Sequence, residues 1–144
     1  MDSYTYEEYL DKNGTMTYSN VGVSMLPLLR QGRDLFTVKK KGRKRCKKYD
    51  VVLYRRPPNK YVLHRIIAVR PNDYVILGDN CVKKEYGIRD EDIIGVMTGF
   101  VHNGREYSVD DPLYKVYSFI WVEFAPVRIF AKRAMIKLKR SLKL

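Results

Sequence analysis

Residues 50–69 read DVVLYRRPPNKYVLHRIIAV, and this stretch decides the fold class. Two runs rich in Val, Ile, Leu and Tyr, residues 50–54 and 61–69, lie on either side of the turn-forming Pro57, Pro58 and Asn59. Short apolar runs separated by such residues are typical of β-strands joined by a turn. The stretch therefore predicts two strands.

The same pattern continues on both sides of this stretch. Further β-type runs occupy residues 35–39, 74–77 and 93–101, and turn formers separate them. At least five short strands at this spacing indicate a mainly β fold, an antiparallel sheet that curls toward a partial barrel.

The two ends of the chain have different patterns. Residues 1–20 are polar and rich in tyrosine, which suits a short helix over residues 6–11 or an extended arm. After residue 112 the pattern becomes helical, so we predict a β-rich domain over residues 1–112 and a basic amphipathic helical tail over 113–144. Its apolar face would consist of Val127, Phe130, Ala131, Ala134, Met135, Leu138 and Leu142. The other face would carry Arg128, Lys132, Arg133, Lys139, Arg140 and Lys143.

The charge balance favours anionic partners. The chain has 28 Lys and Arg against 16 Asp and Glu, a net charge of +12, and no acidic residue after Glu123. Such a surface attracts either nucleic acid or an anionic membrane face. A basic amphipathic helix can lie in a membrane interface, or it can dock on the domain with its charged side in water. Both readings are open at this point.

The sequence predicts no membrane span and no bound metal or other cofactor. The first twenty residues contain no apolar run, and the longest apolar stretch, residues 116–127, is interrupted by Glu123 and Pro126. That length falls short of the ~20 residues that cross a bilayer. We therefore expect a peripheral membrane or cytoplasmic protein without a signal peptide. Cys46 and Cys81 lie far apart, so they indicate neither a zinc site nor a disulfide framework.

Ser24 and His64 are candidates for nucleophilic chemistry. Ser24 lies in GVSMLP, residues 22–27, where a β-type run gives way to an irregular turn. His64 interrupts an apolar strand, and alternation places it on the face opposite Arg65. We expect the imidazole to be buried more readily than the guanidinium. A serine hydroxyl needs an adjacent base, and imidazole, with a pKa of about 6.5, suits that role.

Two carboxylates could complete such a pair. Asp79 lies in Gly-Asp-Asn, residues 78–80, directly after an apolar run, and Glu85 follows six residues later. A carboxylate near a serine–histidine pair can hold the imidazole in one tautomer and stabilise the imidazolium.

Taken in order, these segments resemble the S24/S26 serine peptidases, and within them the type I signal peptidases. The matching motifs are G-x-S-M-x-P at residues 22–27, G-x-D at 32–34, D-V-V-x-[FY] at 50–54, the general-base strand at 61–67, G-D-N at 78–80 and an I-x-G-x-V-like strand at 93–97. The resemblance covers about residues 21–100. It implies the signal-peptidase catalytic core and a serine endopeptidase that cleaves signal or leader peptides.

The resemblance also implies residue roles. Ser24 would be the nucleophile, and His64 the general base, as in the endoplasmic-reticulum and archaeal branch rather than the lysine-dependent bacterial one. Asp79 is the first choice for the third member and Glu85 the alternative, although the family pattern has aspartate near that position. The Ser24 N–H would donate to the oxyanion; the second donor is not identified. A ring nitrogen of His64 should lie near ~3 Å from Ser24 Oγ, or somewhat farther without substrate.

No segment of the sequence resembles the family's N-terminal membrane anchor. The basic helix could replace that anchor by contact with an anionic membrane. The partner would be a peptide or preprotein, and we expect no specific nucleic acid. The alternatives are a peptidase that trims the leader of a secreted or ribosomally made peptide, and a catalytically silent peptide-binding module on the same fold.

Overall fold

A computed structural model describes residues 5–143, and it is mainly an antiparallel β-sheet. Its elements are α1 (Tyr6–Asn13), β1 (Thr15–Ser19), β2 (Leu35–Lys40), β3 (Val51–Arg56), β4 (Lys60–Val69), β5 (Tyr74–Leu77), β6 (Glu85–Ile88), a 3-10 helix (Asp90–Asp92), β7 (Ile93–His102), β8 (Arg105–Ser108), α2 (Pro112–Glu123) and α3 (Ala125–Leu142). The strand order is β1-β2-β7-β3-β4-β5-β6, with β8 paired to β7. The sheet is open, because β1 and β6 end it.

The five predicted strands are confirmed as β2, β3, β4, β5 and β7. The opening stretch forms the β3–β4 hairpin, in which Val52 pairs with His64. The predicted short helix near the N-terminus is confirmed as α1, which Thr5 caps by accepting a hydrogen bond from the Glu8 N–H. Three short strands, β1, β6 and β8, were not predicted. Their residues are mostly polar and exposed, so no apolar pattern marks them.

Both faces of the central strands are covered. Val51 and Leu53 belong to one apolar core, and Val52 and Tyr54 belong to a second core on the opposite face. Successive residues of a strand point to opposite faces, so burial on both faces explains the continuous apolar runs of β3 and β5. His64 and Arg65 accordingly both lie in the interior.

The helices after residue 112 differ in how they pack. Tyr114, Ser118 and Val122 of α2 are buried, and the Tyr114 ring lies 5.1 Å from that of Phe100. In α3 only Ala125 is buried, and every residue from Arg133 to Lys143 is exposed. Among the described residues, none of the helices is both long enough and apolar enough to cross a membrane. Residues 1–4 and 144 of the two predicted segments lie outside the described residues.

Candidate active site

Ser24 lies in the loop between β1 and β2, held by its neighbours on both sides. Gly22 adopts a left-handed conformation (φ +85°), and its N–H donates to the Gln31 side chain at 2.6 Å. Met25 directly after Ser24 is fully buried, which anchors the loop in the first core. The loop backbone therefore holds Ser24, half-buried, at the boundary between the core and the solvent.

Asp34, in the predicted G-x-D motif, braces the far end of this loop. Its buried carboxylate accepts hydrogen bonds from the N–H groups of Arg30 (2.8 Å) and Asn103 (2.9 Å). Asn103 lies in the turn between β7 and β8. The aspartate therefore ties the Ser24 loop to the sheet, which is a structural role.

Gly78 brings the Ser24 loop and His64 together. A Cβ atom at this position would lie 2.8 Å from the Ser24 carbonyl oxygen and 2.9 Å from His64 Nε2. Both distances are shorter than real Cβ contacts, so the close approach requires glycine here. The Asn80 N–H donates to the same Ser24 carbonyl at 2.8 Å. The Gly-Asp-Asn segment thus pins the serine loop beside the Nε2 edge of His64.

The opposite edge of the imidazole is held by a tyrosine and a glutamate. His64 Nδ1 lies 3.3 Å from the Tyr54 hydroxyl, which donates to Glu85 Oε1 at 2.6 Å. Arg56 Nη2 also donates to Glu85, at 2.7 Å. Since Tyr54 gives its proton to the carboxylate, its oxygen can only accept from Nδ1–H. That assignment leaves the Nε2 lone pair facing Gly78 and the Ser24 loop, the tautomer that a general base needs.

Burial keeps His64 uncharged. The side chain is only 9% exposed, and burial, followed by the nearby Arg56 charge, lowers the pKa of His64 to about 4, although Glu85 and Asp79 oppose the shift. Burial alone would raise the pKa of Glu85, but hydrogen bonds from Arg56 and Tyr54 outweigh it and lower that pKa. At neutral pH the imidazole is therefore neutral and the carboxylate ionised.

Asp79 is engaged elsewhere. Its two carboxylate oxygens accept from Arg65 Nε and Nη2 at 2.8 and 2.9 Å, and the Tyr117 hydroxyl donates to it at 2.8 Å. No hydrogen bond joins Asp79 to His64 within residues 5–143. Of the two carboxylates, Glu85 is therefore the one linked to His64, through Tyr54, while Asp79 pairs with Arg65.

The expectation that Arg65 would be harder to bury than His64 is wrong. Arg65 is 1% exposed, less than His64. Besides Asp79, its guanidinium donates to the Tyr49 carbonyl and to the hydroxyls of Tyr114 and Ser118. A buried charge is tolerated when it is paired and its hydrogen bonds are satisfied, and here α2 supplies two of the acceptors.

Ser24 and His64 line one cleft of about 890 Å³, together with Glu85. No hydrogen bond joins the Ser24 hydroxyl to His64, so the expected direct contact is not formed in this structure. The Ser24 N–H likewise has no partner among residues 5–143, so it is available as a donor. The elements around the cleft thus gather a hydroxyl, a neutral imidazole and a free amide.

Asn20 is a cleft residue that sequence reasoning missed. It lines the same cleft, is 6% exposed, and its amide nitrogen has no hydrogen-bond partner among residues 5–143. Buried donors are almost always paired, so this amide is a candidate donor to a group bound in the cleft. Nothing local in the sequence marks Asn20. Tyr54, also missed, could have been found from strand alternation, since it lies on the same face as Val52, the partner of His64.

The C-terminal helices hold the Gly-Asp-Asn segment from outside. The Asp79 carbonyl accepts from Trp121 Nε1 at 2.7 Å and from Arg128 Nη1 at 2.9 Å. The Lys132 ammonium donates to the carbonyl and side chain of Asn80. The helical segment is therefore attached to the same loop that positions Ser24.

Comparison with known proteins gives no match: no family model, no curated protein and no solved structure is significantly similar to this chain.

Proposed function

We propose that this protein is a serine endopeptidase in which Ser24 is the nucleophile and His64 the general base. The single observation that supports it is the approach at Gly78, where His64 Nε2 faces the Ser24 loop while Nδ1 is tied to Tyr54 and Glu85. This orientation is the one that a base needs to accept a serine proton. The resemblance to the signal-peptidase type gives the same two roles.

The reaction is acyl transfer in two steps. His64 Nε2 accepts the Ser24 proton as Oγ bonds to the scissile carbonyl carbon, and the imidazolium then gives that proton to the departing amine as the C–N bond breaks. In the second step water attacks the ester, its proton passes to Nε2, and Ser24 Oγ leaves and is reprotonated. Tyr54 holds the ring, and the Glu85 carboxylate stabilises the positive charge that forms on it.

The oxyanion requires donors that are already in place. The Ser24 N–H is one, and we propose the Asn20 side-chain amide as the second. Ser24 and Asn20 belong to the same loop and both line the cleft, and neither donor is used by another group among the described residues. Preorganised donors stabilise a developing oxyanion without reorganisation at the moment of reaction.

Positive charge at the cleft bears on which peptides it would bind. Lys60, Lys83 and Lys84 line the cleft, are exposed, and form no ion pair within residues 5–143. Glu85, the acidic residue of the lining, is already paired with Arg56. Opposite charge steers and orients a substrate, so acidic residues near the cleaved bond suit this cleft. Peptides that differ only by Glu against Gln at these positions test this preference by their kcat/KM.

Covalent labelling tests the proposal directly. A phosphonylating serine probe should label the wild-type protein, and Ser24→Ala and His64→Ala should each abolish labelling. Ser19→Ala is the matched control, because Ser19 lines the same cleft and should leave labelling unchanged. Normal labelling of Ser24→Ala would refute the proposed nucleophile. A wild-type protein that binds peptide but is never labelled would instead be the catalytically silent binding module.

A further inference from the structure

The outer side of the two C-terminal helices is apolar and uncovered. On α2, residues three or four apart face away from the sheet, on the side opposite the buried Tyr114, Ser118 and Val122. On α3, further exposed apolar side chains lie away from Arg128 and Lys132, which contact the domain. We call this set the outer apolar face: Leu113, Val116, Ile120, Phe124, Val127, Phe130, Leu138 and Leu142. Its members are between 46% and 77% exposed.

The polar side of α3, not its apolar side, faces the domain. Ala125 is buried, while Arg128 and Lys132 donate to carbonyl groups of the Asp79–Cys81 segment. The reading in which the helix docks with its charged side in water is therefore wrong for this first half of α3. The Gly-Asp-Asn loop offers carbonyl acceptors that match basic side chains, and so the apolar side is turned outward.

Positive charge surrounds this face. Residues 125–144 carry seven Lys and Arg and no acidic residue. The basic loop before β3 adjoins α2, since Lys48 pairs with Glu123 at 2.7 Å. An apolar strip bordered by cations matches the two layers of a bilayer surface, acyl chains below and anionic headgroups above. Contiguous exposed apolar patches mark sites where proteins bind other proteins or membranes.

We propose that the outer apolar face is a docking surface for an anionic bilayer. The helices would lie in the plane of the interface, with the apolar side chains among the acyl chains and Lys137, Lys139 and Arg140 at the headgroups. Because α3 also holds Asn80, the docked protein would present the Ser24 cleft at a set height above the membrane. The proposal stands on the exposed face and its charge, and it does not depend on the peptidase activity.

Vesicle flotation with the full-length chain tests the proposal. We compare phosphatidylcholine vesicles with vesicles that contain about 30% phosphatidylserine. The wild-type protein should float with the anionic vesicles, and Phe130→Ser combined with Leu138→Ser should weaken partition about 10-fold or more, since two large apolar side chains no longer leave water. Both positions are exposed, so the variant should unfold at the same temperature as the wild-type protein.

The control is a matched pair outside the face, Val69→Ser with Tyr86→Ser, which are also exposed. It should float like the wild-type protein. Suppose instead that the Phe130/Leu138 variant binds the vesicles as well as the wild-type protein does, and loses that binding when the salt is raised from about 0.15 M to about 1 M. That result would show that charge alone holds the protein on the vesicles, and it would overturn the proposal. A wild-type dimer that this variant converts to a monomer, without any effect on flotation, would assign the face to a second copy and would also overturn it.

Discussion

The unpaired amide of Asn20 leads to a prediction in which stability and activity separate. A buried donor without a partner destabilises the folded state by about 1–3 kcal/mol relative to a paired one. Asn20→Leu replaces the amide with an apolar group of similar size. Because the nitrogen makes no hydrogen bond among the described residues, the free energy of unfolding should stay unchanged or rise by up to ~1 kcal/mol.

The same substitution should reduce activity strongly. If Asn20 donates to the oxyanion, its loss removes about 3–4 kcal/mol of transition-state stabilisation, which lowers kcat by about 10²–10³-fold. KM should change little, because the interaction is made mainly in the transition state. Asn20→Asp keeps the shape but offers an acceptor where a donor is needed, so it should be no more active than Asn20→Leu.

Two measurements check this reasoning: urea unfolding for the free energy, and steady-state cleavage of a peptide for kcat and KM. A kcat of Asn20→Leu within about 3-fold of the wild-type value would exclude the donor role, because the loss of an oxyanion donor lowers kcat far more than that. A loss of more than about 2 kcal/mol in unfolding free energy would instead show that the amide is paired in the folded protein. Either result refutes the reasoning.

The other predictions concern the loop, the acids and the base. Gly78→Ala should destabilise the fold by about 1–3 kcal/mol and lower kcat, because the new methyl group would lie 2.8 Å from the Ser24 carbonyl oxygen. Gly42→Ala is the control: Gly42 has open space around it, so this variant should change neither quantity in the same urea and cleavage assays. Asp79→Asn should lower the unfolding free energy by about 3–5 kcal/mol, because it leaves the buried Arg65 guanidinium without its counter-charge. Glu85→Gln should lower kcat, with a smaller loss of unfolding free energy. If Asp79→Asn lowered kcat and Glu85→Gln lowered stability instead, Asp79 would be the carboxylate that supports His64. Because the pKa of His64 is lowered to about 4 and the neutral ring is the base, kcat/KM should be constant near neutral pH and fall only as the pH drops toward 4. A midpoint of this fall near the ordinary pKa of about 6.5 would contradict the burial of His64. A rise in kcat/KM above about pH 9 would indicate a lysine base.

The sequence predicts residues that the structure places in one cleft, but not the contacts that link them. Ser24 and His64 are indicated by the ordered motifs that resemble the signal-peptidase type, and the structure brings both to one cleft at Gly78. The link from His64 to Glu85 could not be read in the same way, because it passes through Tyr54, an apparently ordinary core residue. The burial of Arg65 could not be predicted, because strand alternation gives the face on which a side chain lies but not which residues cover that face.

The sequence alone is enough to predict strands β2 to β5 and β7, because apolar side chains buried on a sheet leave a local pattern that does not depend on distant residues. It also determined the charge of the C-terminal segment and the apolar and basic faces of α3. The folded structure is needed to see which of those faces meets the domain and that Asp79 pairs with Arg65. It is also needed to see that the Asn20 amide nitrogen has no partner among residues 5–143. Those facts depend on contacts between residues far apart in the chain, whose free energies are set by the burial that folding creates.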